Sequence, residues 1–298
     1  MRARLLVAGT LGVCTLGLAA GCERVLSIED PVPGHGSGSD GGSDGSGGGS
    51  DGGLPVGSPL LLSEVVLSPN EAEMIEIVNT SNQPVDLSTY YLSDSGNYYK
   101  LPVDKSVEVT DFIVKFPNGA SIPGHGVITV AIDNPVNFST HYGVAPSYSL
   151  MDTSLEKISI NGAANLTNAG ELVVLFQWDG RSDLVRDVDI VLAGAPAAAN
   201  GLISKSGVSQ DGMDADTTPS TYAADKNSIH SQASTPGSTV STKRIALEAA
   251  GGESHDGTGN GQAGDDETSE DTSLTWDGSV MSPFTAPTPG TVPAALQP

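Results

Sequence analysis

Cysteine is nearly absent from this 298-residue chain, which has only Cys14 and Cys22. A disulfide framework is excluded, so any folded part must be held by packing. Aromatic residues are scarce at 5%, while 37 glycines and 19 prolines interrupt the chain, so part of it cannot be packed core. No strict three-residue period is present, which rules out a collagen-like fibre. Basic residues are the other shortage: 13 stand against 36 acidic ones, for a formal charge of −23. Nucleic acid is not expected as a partner, because its binding relies on cations that neutralise phosphates, and an anionic membrane surface is disfavoured for the same reason. With 38% hydrophobic residues there is still enough apolar material for one sizeable core with appendages.

No apolar run reaches the length of a comfortable transmembrane helix. The stretch from Leu5 to Leu18 follows Arg2 and Arg4 and leads into Ala19-Ala20-Gly21-Cys22. This resembles a bacterial lipoprotein signal peptide with its lipobox, although Ala19 stands where leucine is commonest. The resemblance implies removal of residues 1–21 and acylation of Cys22, with palmitate among the chains. Several acyl chains anchor a protein stably where one gives only marginal binding. Cys14 would leave with the signal, and loss of Arg2 and Arg4 takes the 13 basic residues to 11 and the charge to −25. Glu23 follows the cysteine where aspartate would resemble an inner-membrane retention signal. The expected location is therefore the bacterial cell envelope, as an outer-membrane lipoprotein facing either the periplasm or the exterior.

Residues 22–57 read as the acylated N-terminus and a tether. From Gly34 to Gly53 there are eleven glycines, five serines, three aspartates and one histidine. Such a coil of about twenty residues has a root-mean-square span of roughly 25 Å, enough to hold a domain clear of a lipid surface. Gly41–Gly45 and Gly48–Gly52 both fit G-x-S-x-G. A nucleophile elbow needs a strand before it and a helix after it, which this tract does not supply, so both matches are accidental.

Structure is expected from residue 58 to residue 290, followed by a tail over 291–298. Leu60–Val66, Met74–Val78, Tyr90–Leu92, Tyr98–Leu101, Val127–Ile132, Glu171–Gln177, Leu184–Leu192 and Arg244–Leu247 are short runs rich in valine, isoleucine, leucine and tyrosine. Asn118-Gly119, Pro123-Gly124, Asn161-Gly162 and Asp179-Gly180 supply turn chemistry between them. No long segment has helical periodicity. An all-β fold follows, an antiparallel β-sandwich in preference to a barrel.

Ser63-Glu64-Val65, then Glu73-Met74-Ile75-Glu76-Ile77-Val78-Asn79, then Val85-Asp86-Leu87-Ser88 leading to Tyr91-Leu92-Ser93-Asp94, resembles the opening of a lamin tail domain. Ile122-Pro123-Gly124, Asn168-Ala169-Gly170-Glu171 and Asp179-Gly180 before Asp187-Val188 are similar to the family's middle strands. Ser241 to Arg244 and Pro287-Thr288-Pro289-Gly290 continue the order, with long insertions around 134–165 and 194–240. The resemblance implies an immunoglobulin-like sandwich without catalytic residues. Such domains occur in nuclear lamins and in bacterial secreted or surface proteins, some fused to nucleases, where they resemble targeting or binding modules. Chromatin association does not transfer to an acidic lipoprotein.

Five histidines, His35, His125, His141, His230 and His255, are too dispersed for a zinc pattern. Glu73 and Glu76 fall on opposite faces of a strand, which is poor for paired acid and base work, so Glu64, Glu73 and Glu76 are expected in solvent contact or structural hydrogen bonds. Trp178 and Trp276 are candidates for ligand contact, with burial as core caps the commoner fate. Asp256-Gly257-Thr258-Gly259-Asn260-Gly261 with Glu267 approaches the calcium-loop pattern D-x-[DN]-x-[DN]-G-x5-E, with Thr258 in place of an acid. Flanking glycines argue against the helices of an EF-hand. Asp211, Asp214 and Asp216 form a second acidic cluster. No cofactor is expected, calcium at these two places being the exception considered.

The functional expectation is a lipid-anchored, non-enzymatic envelope protein that displays a binding or structural module to an unknown protein or envelope ligand. The alternatives are an accessory or cryptic hydrolase-associated subunit and a calcium-dependent adhesion module.

Overall fold

The chain alternates short buried strands with turns from Leu60 onward. A computed structural model describes residues 58–194, 203–223, 236–248, 267–269, 271–278 and 283–297. The expected signal peptide, Cys22, the tether, Asp256, Thr258 and Asn260 lie outside the described residues. The strands are β1 (Leu60–Val66), β2 (Met74–Asn79), β3 (Val85–Asp86), β4 (Tyr90–Ser93), β5 (Phe112–Lys115), β6 (Ser121–Ile122) and β7 (Val127–Ala131). After helix α1 (Pro135–Tyr142) come β8 (Tyr148–Ser149), β9 (Glu156–Ile160), β10 (Gly170–Gln177), β11 (Arg186–Gly194), β12 (Ser209–Gln210), β13 (Ser220–Thr221) and β14 (Thr242–Lys243).

Two five-stranded sheets result, ordered β14-β1-β2-β7-β8 and β11-β10-β4-β5-β9. Their pairings are antiparallel except for β8, which runs parallel to β7. This is the all-β, immunoglobulin-like sandwich expected. Leu60, Leu62, Ile75, Ile77, Leu92, Val114, Val130, Val173, Leu175 and Val191 interlock between the sheets. Each such side chain contributes roughly 1.5–3 kcal/mol through burial.

The outer face of the second sheet is also covered. Tyr98, Tyr99, Ile203 and Tyr222 pack there on Leu172, Val174, Phe176, Ile190 and Leu192. β10 is accordingly buried along its whole length, and its sequence is an almost unbroken apolar run. The residues that do this covering come in part from the 194–240 insertion. The 134–165 insertion is equally structural, since it supplies β8 at one sheet edge and β9 at the other.

A bulge in β11 decides where two aspartates go. The register with β10 slips between Leu175, opposite Asp189, and Phe176, opposite Asp187. Strict alternation would put Asp187 and Asp189 on one face, but the extra residue sends them to opposite faces. Asp189 turns inward, accepting the amide of Leu62 at 2.6 Å and Arg244 Nη2 at 2.6 and 2.8 Å. Arg244 also donates through Nε to the Leu62 carbonyl at 2.9 Å and lies over the Trp276 ring, clamping the C-terminal strand across both sheets. Asp187 turns outward to Lys205 and to Tyr98 Oη, which donates at 2.8 Å. Lys205 and Asp187 are both fully buried, so this pair ties the second insertion to the sheet.

Two expectations fail locally, and one short element was not foreseen. Tyr98–Lys100 is a 3-10 turn, because curling lets both Tyr98 and Tyr99 bury their rings on one face, whereas neighbours in a strand point apart. Strand pairing near the end stops at Lys243 apart from an Arg244–Trp276 bridge, and Ile245 and Leu247 are partly exposed, at 37% and 42%. The chain leaves β1 there because the Ile245 amide bonds the Thr275 carbonyl at 2.6 Å. Finally, α1 forms inside the first insertion. Asn134 caps it by accepting the amides of Val136 and Asn137, Pro135 starts it, and Gly143 at φ 74° ends it. Eight residues are too few to leave a periodic signature.

Removing one member of the inward pair strands the other charge in the core, so Asp189→Ala is expected to lower stability by about 3–5 kcal/mol. Urea unfolding measures this, with Asp189→Leu combined with Arg244→Met expected to recover much of the loss.

Candidate functional site

Carboxylates dominate the buried polar groups, and their partners separate structural from chemical candidates. Of the acidic loop residues, Asp211 and Asp214 bring their carboxylates together, while Asp216 joins only through its amide, which donates to Asp214 Oδ1 at 3.0 Å. The third member is Asp183, from the turn between β10 and β11, with oxygens of all three within 4.8 Å of one another. Asp183 was not among the candidates because it lies 28 residues upstream of Asp211. Both of its oxygens are engaged, by the amides of Gly212 at 2.6 Å and Ser220 at 2.9 Å. Gly212 is needed here, since a Cβ would lie 2.9 Å from the carbonyl oxygens of Arg181 and Ser182. Asp216 instead accepts the Thr218 amide at 2.7 Å. Partial desolvation, then the charges of Asp183, Asp214 and Asp216, raise the pKa of Asp211. A hard cation would suit this trio, but the loop is already closed by hydrogen bonds.

Glu267 is buried beside Asp189 and Glu248, again with oxygens within 4.8 Å. These acids surround Arg244, whose Nη2 is 3.9 Å from Glu248 Oε1. The setting is a charge cluster around a buried guanidinium, and the other members of the loop expected for Glu267 lie outside the described residues.

Glu64 and Glu76 form the carboxylate pair that strand reasoning overlooked. They sit directly opposite each other on β1 and β2, both fully buried. Glu76 accepts Ser63 Oγ at 2.9 Å and the Gly290 amide at 2.8 Å. Glu64 accepts the Thr288 amide at 3.0 Å and hydroxyl at 3.1 Å. The pair therefore fastens the Pro-Thr-Pro-Gly segment onto the outer face of the first sheet. Burial, reinforced by the neighbouring Glu64 charge, pushes Glu76 up to about 8. Of the two roles expected for these glutamates, structural hydrogen bonding is found and solvent contact is not.

A further group gathers at one end of the sandwich. Glu73 precedes β2, Asp94 follows β4, Asp111 precedes β5 and Glu171 opens β10. All four are buried, at 3% exposure or less. Burial raises each pKa, to about 8 for Glu73 and Asp111, and mutual repulsion adds to it at Glu73, Asp94 and Asp111. Several oxygens are used locally: Glu73 Oε2 accepts the Leu166 amide at 3.0 Å, Asp94 Oδ1 that of Phe112 at 2.6 Å, and Glu171 those of Thr167 at 2.8 Å and Leu172 at 3.0 Å.

Trp178 and Trp276 are buried, at 5% and 2% exposure, which leaves neither as a ligand platform. Among the described residues no helix is long and apolar enough to cross a membrane.

Residues 55–191 match the family model of the lamin tail domain. The matched stretch runs from just before β1 into β11, so it contains most of both sheets. The segment that covers the second sheet's outer face and the C-terminal strand lie beyond it. A DUF4876 family protein from Bacteroides thetaiotaomicron has a solved structure similar to this chain at 12% identity, covering 82% of this chain and 75% of that one, with a TM-score of 0.31. No curated protein matches.

Two outcomes follow from the lamin-tail-like scaffold and its carboxylates. Asp183→Ala leaves two amides without acceptors and is expected to cost about 2 kcal/mol in urea unfolding, against less than about 1 kcal/mol for exposed Asp216→Ala. Glu76 keeps its proton in the folded state up to about pH 8 but loses it near 4.5 when unfolded. Its contribution is complete below the unfolded value and disappears as pH rises through the folded one. Thermal midpoints should therefore fall between pH 5 and 8.5, and Glu76→Gln should flatten that slope by an amount on the order of 2–4 kcal/mol.

Proposed function

We propose that this protein is a lipid-anchored component of a bacterial envelope that displays its lamin-tail-like sandwich as a non-enzymatic binding or structural module. The observation that carries this reading is the sequence order itself. A cationic start, a short apolar stretch and Ala19-Ala20-Gly21-Cys22 precede a glycine-rich tract, and the lamin tail match begins directly after it, at residue 55. Acyl chains on Cys22 supply attachment, and the tract supplies reach. A formal charge of −25 on the mature chain keeps the domain away from anionic headgroups and favours a basic or neutral partner.

The buried carboxylates fit this role. Those at Glu64, Glu76, Asp183, Asp187 and Asp189 bind backbone amides or cations of distant segments, which is how a sandwich without disulfides holds its loops in place for recognition. Partner identity is expected to reside in those loops.

Cys22→Ala tests the anchor. Metabolic palmitate labelling should disappear, and the protein should accumulate as an uncleaved or mislocalised precursor, because no second cysteine is available after the signal. Labelling that persists in the variant defeats the proposal.

A further inference from the structure

The acidic end of the sandwich contains more carboxyl oxygen than its hydrogen bonds use. Glu73 Oε1, Asp94 Oδ2 and Asp111 Oδ2 are each buried and meet no hydrogen-bond partner. Among the described residues, no ion pair joins Glu73, Asp94, Asp111 or Glu171 to a lysine, arginine or histidine. The nearby Lys100 is committed to Asn97 Oδ1, at 2.7 Å. A buried carboxylate oxygen without a partner costs about 1–3 kcal/mol or more, so three at one end call for a compensating group.

Asp111 marks where such a group fits. It lies against Glu108 and Ser95, so two carboxylates touch at the edge of the cluster. Glu108 is half-buried and opens toward solvent beside Val109, which is 74% exposed. Its position is set by Ser95 Oγ and Asn97 Nδ2, each donating at 2.5 Å. Thr110, between the two acids, is held at φ 78°, with its amide on the Asn161 carbonyl at 2.7 Å and its carbonyl accepting the Asn165 amide at 3.2 Å. A β-branched residue in that region is strained, and the 161–165 loop holds it there.

We propose that this end of the sandwich is a divalent-cation site that takes Ca²⁺ between Glu108 and Asp111. The two carboxylates supply the charged ligands, Ser95 Oγ a neutral one, and water entering past Glu108 completes the shell of six to eight oxygens. Asp94 and Glu171 lie behind Asp111. Hard oxygen donors alone select Ca²⁺ or Mg²⁺ over softer metals, and an irregular loop edge suits the flexible geometry of Ca²⁺ better than the octahedron of Mg²⁺. With two charged ligands, affinity belongs in the range of about 10⁻⁴–10⁻³ M found for extracellular calcium modules. This site is separate from the Asp183, Asp211 and Asp214 trio, which the test distinguishes.

Calorimetric titration of the detergent-solubilised full chain with CaCl₂, paired with thermal melts, decides the matter. Saturable Ca²⁺ binding with an upward shift in Tm is expected, and MgCl₂ at equal concentration should bind at least about tenfold more weakly. Glu108→Gln and Asp111→Asn should each weaken Ca²⁺ at least about tenfold, while Asp211→Asn with Asp214→Asn leaves the affinity unchanged. Glu108 sits at the rim, so its variant serves if Asp111→Asn does not fold. Absence of binding at 10-fold the upper Kd, about 10 mM, overturns the proposal. So does binding that survives Glu108→Gln, or that is lost in the Asp211 and Asp214 variant instead.

Discussion

The bulge in β11 is the constraint on which the rest of the sandwich depends. By adding one residue against β10 it sends Asp187 outward and Asp189 inward, and each carboxylate meets a buried cation from a remote part of the chain. Arg244 comes from 55 residues beyond Asp189 and Lys205 from 18 beyond Asp187. Buried ion pairs are weak sources of net stability because desolvation offsets their attraction. Their value here is register: a slip by one residue would carry each aspartate to the opposite face, away from its own cation. In a fold without cysteine, these pairs take the place in which an inter-sheet crosslink would otherwise hold the layers.

The insertions are part of the same solution. A two-layer sandwich normally leaves one face of each sheet in water, yet the second sheet of this protein is apolar on both faces. Residues 203–223 and the Tyr98–Tyr99 turn cover its outer face, and the first insertion supplies a strand to an edge of each sheet. The edge strands that would otherwise invite pairing with another chain are thereby short or flanked by the protein's own segments. Leu296 performs a smaller version of this at the other sheet, packing on Leu61 and Val78.

Much of the strand layout was legible locally. β1 matches its expected range to the residue, and β2, β4, β7 and β10 differ at their ends by one residue, because apolar runs bounded by Gly, Pro, Asn and Asp are properties of neighbouring residues. β5 and β9 were missed: Phe112–Lys115 is only four residues long, and Glu156–Ile160 carries polar residues at an edge. Tyr98–Lys100 was misread because tyrosine favours strands unless two adjacent rings must enter the same apolar layer. The acidic candidates divided similarly. Asp211 and Asp214 belong together as their spacing suggested, but Asp183 completes their group only through the fold.

By itself the sequence determined the fold class, the absence of a disulfide within the sandwich, the place of the main strands and the resemblance that the family match over residues 55–191 supports. These depend on composition and on patterns a few residues long. Tertiary structure alone decided which carboxylates meet. Glu64 faces Glu76 through hairpin register, Glu76 reaches Gly290 across 214 residues, and Asp94, Asp111, Glu73 and Glu171 converge because four strand ends share one end of the sandwich. Charges interact according to distance and desolvation rather than sequence spacing, and both are set only once the sheets have closed on each other.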